Sequence, residues 1–553
     1  MKRTILSLAL VAITALSACA QTATNAPAAT NAPVAAWTTN APTTEQRLES
    51  VEAYFQNGDP TAPYTDATGT NGSNPNGAWN VNFALGPSII NTNLINSTGR
   101  AFSYPGAGHN AWLLASTALV LFMTLPGLAL FYGGLVRKKN VLSVLAQCFL
   151  ITGLTTILWY ICSYGMIFGG TGGLHGGATP GAPAPWGMAY TQGEAGHDWI
   201  PGIVGNPAVC WMFKGVTSAP NPGYSYWVSE NVYSMFQLMF AIITPALIVG
   251  SIAERMKFKA ILVFMTLWIL LIYNTQGHMV WGVNGLMNGC WNADAKIKGL
   301  DFAGGTVVHM SSGWSGLVLC IILGKRLGFG KENFSPHSVV LTYIGASMLW
   351  VGWYGFNSGS AVAGDVISAN AFTTTTLATA VGSFVWPMWE WIVKGKPSVL
   401  GFCSGAVAGL VLITPACGYV LPSGAMWIGI AAGTIPWFFC YKIKGWLGMD
   451  DALDAWSVHG VGGMCGAIMT GMFARQAANP NLAVNLSKTV TDHIFQPQLW
   501  EQLKTVGVSL VLFIVGTIVI AYITKMLVGL RVSEEVEIGG LDLAEHGEEG
   551  YHS

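Results

Sequence analysis

The stretch DFAGGTVVHMSSGWSGLVLCIIL, residues 301–323, decides how the chain folds. After its aspartate it is apolar or small-residued over the roughly 20 positions that a helix needs to cross a hydrocarbon core of about 30 Å, yet His309 stands inside it. A second stretch repeats the arrangement. In DDALDAWSVHGVGGMCGAIMTG, residues 450–471, His459 stands eight residues after Asp451, as His309 stands eight after Asp301. Eight helical residues rise about 12 Å. If each aspartate marks a membrane face, each histidine reaches the middle of the core.

Composition agrees with a membrane setting. Only 9% of the 553 residues are charged and 52% are hydrophobic, whereas soluble domains carry roughly a quarter charged residues. A formal net charge of -1 gives no electrostatic basis for binding nucleic acid. The ten cysteines form no CxxC pair and no Cys/His cluster with metal spacing, so no metal site and no cofactor are expected. Most of them lie in apolar runs, where cysteine serves as a small core residue.

Apolar runs predict an all-α membrane protein with eleven transmembrane helices, at 111–134, 141–168, 232–253, 260–279, 302–323, 339–360, 372–393, 400–418, 425–441, 455–473 and 503–527. Loops after the odd-numbered spans hold most of the basic residues, among them Arg137, Arg255, Lys257, Arg326, Lys394 and Lys444. By the positive-inside rule these loops are cytoplasmic, so the N-terminus is outside and the C-terminal tail is cytoplasmic in a multi-pass cell membrane protein. His309 then falls on the fifth span and His459 on the tenth. Because five is odd, the second five-span unit enters the membrane from the opposite side. The pattern reads as an inverted five-plus-five repeat with one additional C-terminal helix, an architecture that places a transport site at the midplane between the halves. A single histidine in an apolar helix is commonly a satisfied core side chain. Two at matching depth in inverted halves, within a bilayer where ionisable groups are scarce, point instead to function.

Outside the spans the chain divides into a signal peptide at 1–20, an external Ala/Thr/Asn/Pro-rich extension at 21–108, the spanning domain at 109–530 with a large external loop at 169–231, and an acidic tail at 531–553. The leader has a basic start and an apolar core of secretory length. Its LSAC tetrapeptide also resembles a lipoprotein signal, in which Cys19 would be lipidated. The 169–231 loop is rich in Gly and Pro and reads as a cover or spacer. Cys210 and Cys290 both fall in external loops, where an oxidising compartment permits a disulfide but spacing does not establish one. Asp301, Asp451 and Asp454 open helices, where a carboxylate caps free N–H groups and complements the dipole. Asp301, at an external mouth, would also bias the local potential toward cations.

Five motifs carry a resemblance. STALVLFMTLPGLALFYGGLVRKKNVLSVLAQ (116–147), FAIITPALIVGSIAERMKF (240–258), DFAGGTVVH (301–309), GWYGFNSGS (352–360) and DDALDAWSVHGVGG (450–463) resemble, in order, the Amt branch of the Amt/Rh ammonium transporter family. The resemblance implies a homotrimer with a pore in each subunit, and no enzymatic activity. It places an outer cation site on Phe240, Trp281 and Ser360 with Phe236 beside it, and a phenyl gate on Phe240 and Phe356. The twin-histidine pair falls on His309 and His459, Asp301 becomes the carboxylate below the outer vestibule, and Trp353 lines the pore. It also implies that the tail docks on neighbouring subunits and answers to a PII-type signalling protein.

Physical chemistry is consistent with these roles. Phe236 and Phe240 are four apart and share a helix face. An aromatic face attracts a desolvated cation, and a serine hydroxyl can accept an N–H that potassium does not offer. Carrying an intact cation through an apolar pore costs several kcal/mol or more, and shedding the proton removes most of that. Ammonia, or methylammonium as its analogue, would then meet an imidazole partner at the midplane. Rival readings are a neutral ammonia or carbon dioxide channel of Rh type, an ammonium sensor, and an intramembrane haem protein using the two histidines.

Overall fold

The structure, a computed structural model, describes residues 107–169, 198–216, 218, 224, 228–292 and 294–551. The leader with Cys19, nearly all of the 21–108 extension and the centre of the 169–231 loop lie outside the described residues. Among the described residues the secondary structure is helical, with isolated β-bridges but no strand.

In chain order the principal helices are α1 (Gly108–Leu135), α2 (Lys138–Phe168), α3 (Glu230–Ile252), α4 (Phe258–Trp281), α5 (Gly305–Leu323), α6 (Val339–Gly359), α7 (Val366–Lys394), α8 (Val399–Ile413), α9 (Pro422–Trp446), α10 (Trp456–Val461 running into Gly462–Phe473) and α11 (Pro497–Val528). Eight of these, all but α7, α8 and α10, are long and apolar enough to cross a membrane on their own. Local chemistry sets their ends. Ser338, Asp365 and Ser398 cap α6, α7 and α8 by accepting the amides of Leu341, Ser368 and Gly401 at 3.2, 2.9 and 2.8 Å. Pro422 and Pro497 open α9 and α11, where a missing N–H costs nothing. The sequence reading carried α8 to 418, but it stops at Ile413. Pro415 has no N–H to continue the ladder and disfavours helical backbone at the residue before it.

Helix α3 is buried on almost every side, as expected of a helix that is apolar all round, whereas α11 leaves much of its surface outward. Packing is organised as two similar sets. Helix α1 packs on α3 as α6 packs on α8, α2 lies on α3 as α7 lies on α8, and the sets meet through α1 against α6 and α5 against α10. Glycines allow the second crossing. A Cβ at Gly313 would lie 2.0 Å from the Gly460 amide nitrogen, and one at Gly463 would lie 2.8 Å from the His309 Cβ. Only hydrogen at these positions lets α5 and α10 approach closely enough for their histidines to meet.

One end of the bundle is tied by charge. Arg326 bonds Asp450 at 2.7 Å and Glu254 at 3.1 Å, and Glu254 also accepts from Arg137 at 3.0 Å, joining the loops after α1, α3, α5 and α9. Arg255, fully buried, donates to the carbonyls of Ser251, Ala253, Gly324 and Asp450. Onto this end the tail folds back. Asp542 accepts the amides of Leu142 and Ser143 at 3.0 and 2.8 Å, Glu545 accepts that of Phe258 at 3.0 Å, and Glu537 pairs with Arg531 at 2.8 Å. The acidic tail thus packs on the rest of its own chain, through carboxylates set against helix N-termini.

At the opposite end, residues 198–216 of the large loop press onto the end of α4. Asp198 accepts from the Gly202 amide at 2.7 Å and from Asn284, and lies 3.3 Å from His278. Cys210 and Cys290 are both buried but are not joined to one another. Cys290 packs instead in a cluster with Tyr419 and Leu482.

Candidate functional site

His309 and His459 are brought together at the crossing of α5 and α10. Their Nδ1 atoms lie 3.3 Å apart and their ring centroids 5.3 Å apart, with the ring planes inclined by 26°. Each histidine stands in a single turn of π-helix, Gly305–Met310 or Trp456–Val461, before ordinary α-helix resumes. Such turns recur at functional sites because the extra residue re-aims a side chain. Both rings are almost wholly buried, at 1% and 3% exposure.

Their hydrogen bond restricts what the pair can present. One Nδ1 must donate and the other must accept. In the neutral pair the donor ring therefore has Nε2 as an acceptor, while the accepting ring carries its proton on Nε2. His309 Nε2 has no protein partner although it is buried. An unpaired ring nitrogen in a dry interior costs free energy and is a ready partner for a small polar solute.

Aromatic rings continue from His309 toward Phe240 and Trp281. Trp353 and Phe356 lie nearly parallel to the imidazole, at centroid distances of 5.4 and 5.9 Å. Phe356 meets Phe240 at 4.4 Å. Phe240 in turn meets Trp281 edge-on at 6.0 Å and Phe236 at 4.9 Å. Beyond Phe240 opens a cavity of about 430 Å³, lined by Phe240, Trp281, Asp301 and Ser360 among others. Phe236 and Phe356 do not line it. Phe240 is its floor, with Phe356 behind, so two phenyl rings separate the cavity from the histidines.

Hydrogen bonds fix the lining. The Trp281 indole donates to the Asp301 carbonyl at 3.1 Å, and the Ser360 hydroxyl donates to the Phe356 carbonyl at 2.7 Å. With its proton committed, Ser360 has lone pairs left to accept from a solute. The Asp301 carboxylate accepts from the amides of Gly304, Gly305, Thr306 and Val307 and from the Thr306 hydroxyl, at 2.5 to 3.2 Å. It caps the turn that carries His309. Asp451 plays the corresponding part for α10, accepting from the Trp456 amide at 2.8 Å and from Ser251 at 2.7 Å. Asp454, read from sequence as another cap, turns its carboxylate to Lys444 instead.

Two supporting residues were not legible beforehand. The Trp353 indole donates to Thr414 Oγ1 at 2.9 Å, and Thr414 lies 3.2 Å from Asn357. Thr414 is 61 positions from Trp353 and 57 from Asn357, and neither residue type signals a site. Of metal-binding clusters of three or more His, Cys, Asp or Glu, none occurs among the described residues.

Comparison with known proteins bears on this arrangement. A sequence profile described as the Ammonium Transporter Family matches residues 111–551. An ammonium transporter of Mycobacterium tuberculosis is 40% identical over 466 residues, covering 81% of this chain and 91% of that protein. One from Bacillus subtilis is 39% identical over 437 residues, covering 78% and 96%. Among solved structures, that of Saccharomyces cerevisiae Mep2 superposes with a TM-score of 0.65 at 29% identity, over 79% of this chain and 93% of that one.

Proposed function

The chain belongs to the ammonium transporter family and transports ammonium, and we propose that it does so by removing a proton from the cation above the phenyl gate and passing ammonia along the two histidines. Membership makes it a membrane transporter rather than a member of an enzyme family. In this reading ammonium settles against Phe240 and Trp281, held by ring faces and by a hydrogen bond to Ser360, with Phe236 backing Phe240. Ammonia crosses as Phe240 and Phe356 part, and bonds to the imidazole edges beyond. As the phenyl rings part, the N–H bond of ammonium breaks and its proton passes to the acceptor Nε2 of the histidine pair, which hands it on, so that one positive charge crosses with each ammonia. Two rings in hydrogen-bond contact cannot easily both be charged, which suits them to hold one extra proton at a time.

The same reading takes the chain as eleven spans in an inverted five-plus-five repeat with one further helix, supported by the matched packing of α1 to α3 and α6 to α8. It sits in the cell membrane with the vestibule outside and the arginine-tied end in the cytoplasm. The working form is a homotrimer with a pore in each subunit, and the tail is a platform for a PII-type signalling partner.

The observation that carries the mechanism is the contact between His309 and His459 with a buried, unpartnered Nε2. Its test is current across proteoliposomes under an ammonium gradient. Wild type should give a transient current that disappears in His309→Ala. An undiminished current in the variant counts against the relay, and uptake without any current in wild type favours a neutral-gas channel of Rh type. Binding without flux would indicate a sensor.

A further inference from the structure

The vestibule carries a second carboxylate, Asp365, that lines the same cavity as Phe240, Trp281 and Ser360. Resting on the transport reading above, we infer that Asp365 is an outer capture residue, whose charge holds ammonium in the vestibule before the cation reaches the aromatic site.

Three observations support it. First, among the described residues the cavity lining contains no lysine, arginine or histidine, and its carboxylates are Asp301 and Asp365. Second, these two are not equivalent. Asp301 is enclosed by four amides and a hydroxyl, which offset its charge and fill its acceptor positions. Asp365 accepts a cap bond at 2.9 Å from the Ser368 amide and is half-buried at the edge of the cavity. The Ile367 amide and its own amide also approach it, so it has fewer donors than Asp301 and no hydroxyl among them, and it borders the cavity. Third, the chain between Ser360 and Asp365 is short and bent. Val362 adopts a positive φ of 57°, rare for a β-branched residue, with its amide bonded to the Gly359 carbonyl at 2.8 Å. This turn puts the carboxylate beside the site instead of continuing α6 past it. Burial raises the Asp365 carboxyl to about 6, so at neutral pH it remains ionised.

The alternative role, capping α7, can be separated by chemistry. Asn and Ser are both good N-cap residues and neutral, whereas Glu keeps the charge. The test is saturable methylammonium uptake by the full-length protein in proteoliposomes at neutral pH and low salt. Asp365→Asn and Asp365→Ser should each raise KM about fivefold, equivalent to about 1 kcal/mol, with Vmax within about twofold of wild type. Asp365→Glu should stay close to the wild-type KM. Raising the ionic strength should narrow the gap between wild type and the neutral variants, because salt screens charge. An unchanged KM in both neutral variants, or a fall in Vmax alone, overturns the inference and leaves Asp365 as a cap. Absence of saturable uptake in wild type would instead overturn the transport reading itself.

Discussion

The indole N–H of Trp353 is held by Thr414 across the contact between α6 and the residue that follows α8, at 2.9 Å. That bond sets the plane of the ring lying against His309, 5.4 Å away and inclined by only 19°. Thr414 is therefore a positioning residue for the histidine passage. Its own proton goes to the Leu410 carbonyl at 2.7 Å, leaving oxygen lone pairs for the indole.

Replacing Thr414 with Val keeps the shape but strands a buried N–H, at a cost of about 1–3 kcal/mol. Thr414→Val is expected to lower the melting temperature of the purified protein and to reduce the maximal rate of methylammonium uptake with little change in KM. Thr414→Ser should recover both. A Val variant with wild-type rate would show that Trp353 needs no anchor.

The charged end makes a prediction about pH. Burial alone would raise the carboxyls of Glu254 and Asp450, but Arg326, helped by Arg137 at Glu254, more than offsets it and holds both below their ordinary values of 4.5 and 3.8. A carboxyl depressed in the folded state contributes stability above its unfolded pKa, and that contribution is lost as pH falls through the folded value. The melting temperature should therefore be insensitive to these groups above about pH 5 and should fall below about pH 4. Arg326→Met leaves two buried carboxylates without their main partner, a change worth about 3–5 kcal/mol. Its stability should improve on mild acidification, where wild type does not. Parallel pH profiles for the two proteins would remove the argument.

Sequence reasoning reached the helices and the histidines for the same reason. Charge is so scarce in this chain that apolar runs stand out, and an ionisable side chain within one is conspicuous. The equal spacing from Asp301 to His309 and from Asp451 to His459 has a structural counterpart in two capped π-turns. Spacing could not show that α5 begins at Gly305, after Asp301 has gathered the amides ahead of it. Nor could it find Thr414, since a hydrogen bond spanning 61 positions leaves no local periodicity. Asp454 illustrates a different limit. Its side chain has a lysine partner ten residues earlier, in competition with the cap that local pattern favours. The large 169–231 loop reads by composition as a cover or spacer, and composition could not show that Asp198 fastens part of it to the end of α4.

The phenyl pair invites a test of selectivity. Phe240 and Phe356, 4.4 Å apart, close the cavity toward the histidines. Their exclusion of water is what makes an intact cation costly beyond that point. Phe356→Ala opens the seal, and potassium should then carry measurable current in proteoliposomes that are silent to potassium in wild type. Phe356→Leu, which restores much of the apolar volume, should largely suppress it. Equal potassium currents in all three proteins would place the barrier elsewhere.

Asp301 separates a structural carboxylate from one that serves the solute. Its two oxygens receive four amides and a hydroxyl at the start of α5. Replacement by Asn leaves one oxygen to accept and turns an NH₂ group toward the other donors. Bonds to a charged acceptor contribute about 1.5–3 kcal/mol each, so Asp301→Asn is expected to lose at least about 2 kcal/mol of stability even if the turn relaxes. The helix terminus also loses a favourable negative charge. The expected phenotype is a lower melting temperature and uptake reduced in proportion to the folded fraction, with KM unchanged in the molecules that remain folded. A variant that melts like wild type but binds methylammonium more weakly would mean that the Asp301 charge reaches into the vestibule after all. In that case, capping the His309 turn would be the lesser part of its work.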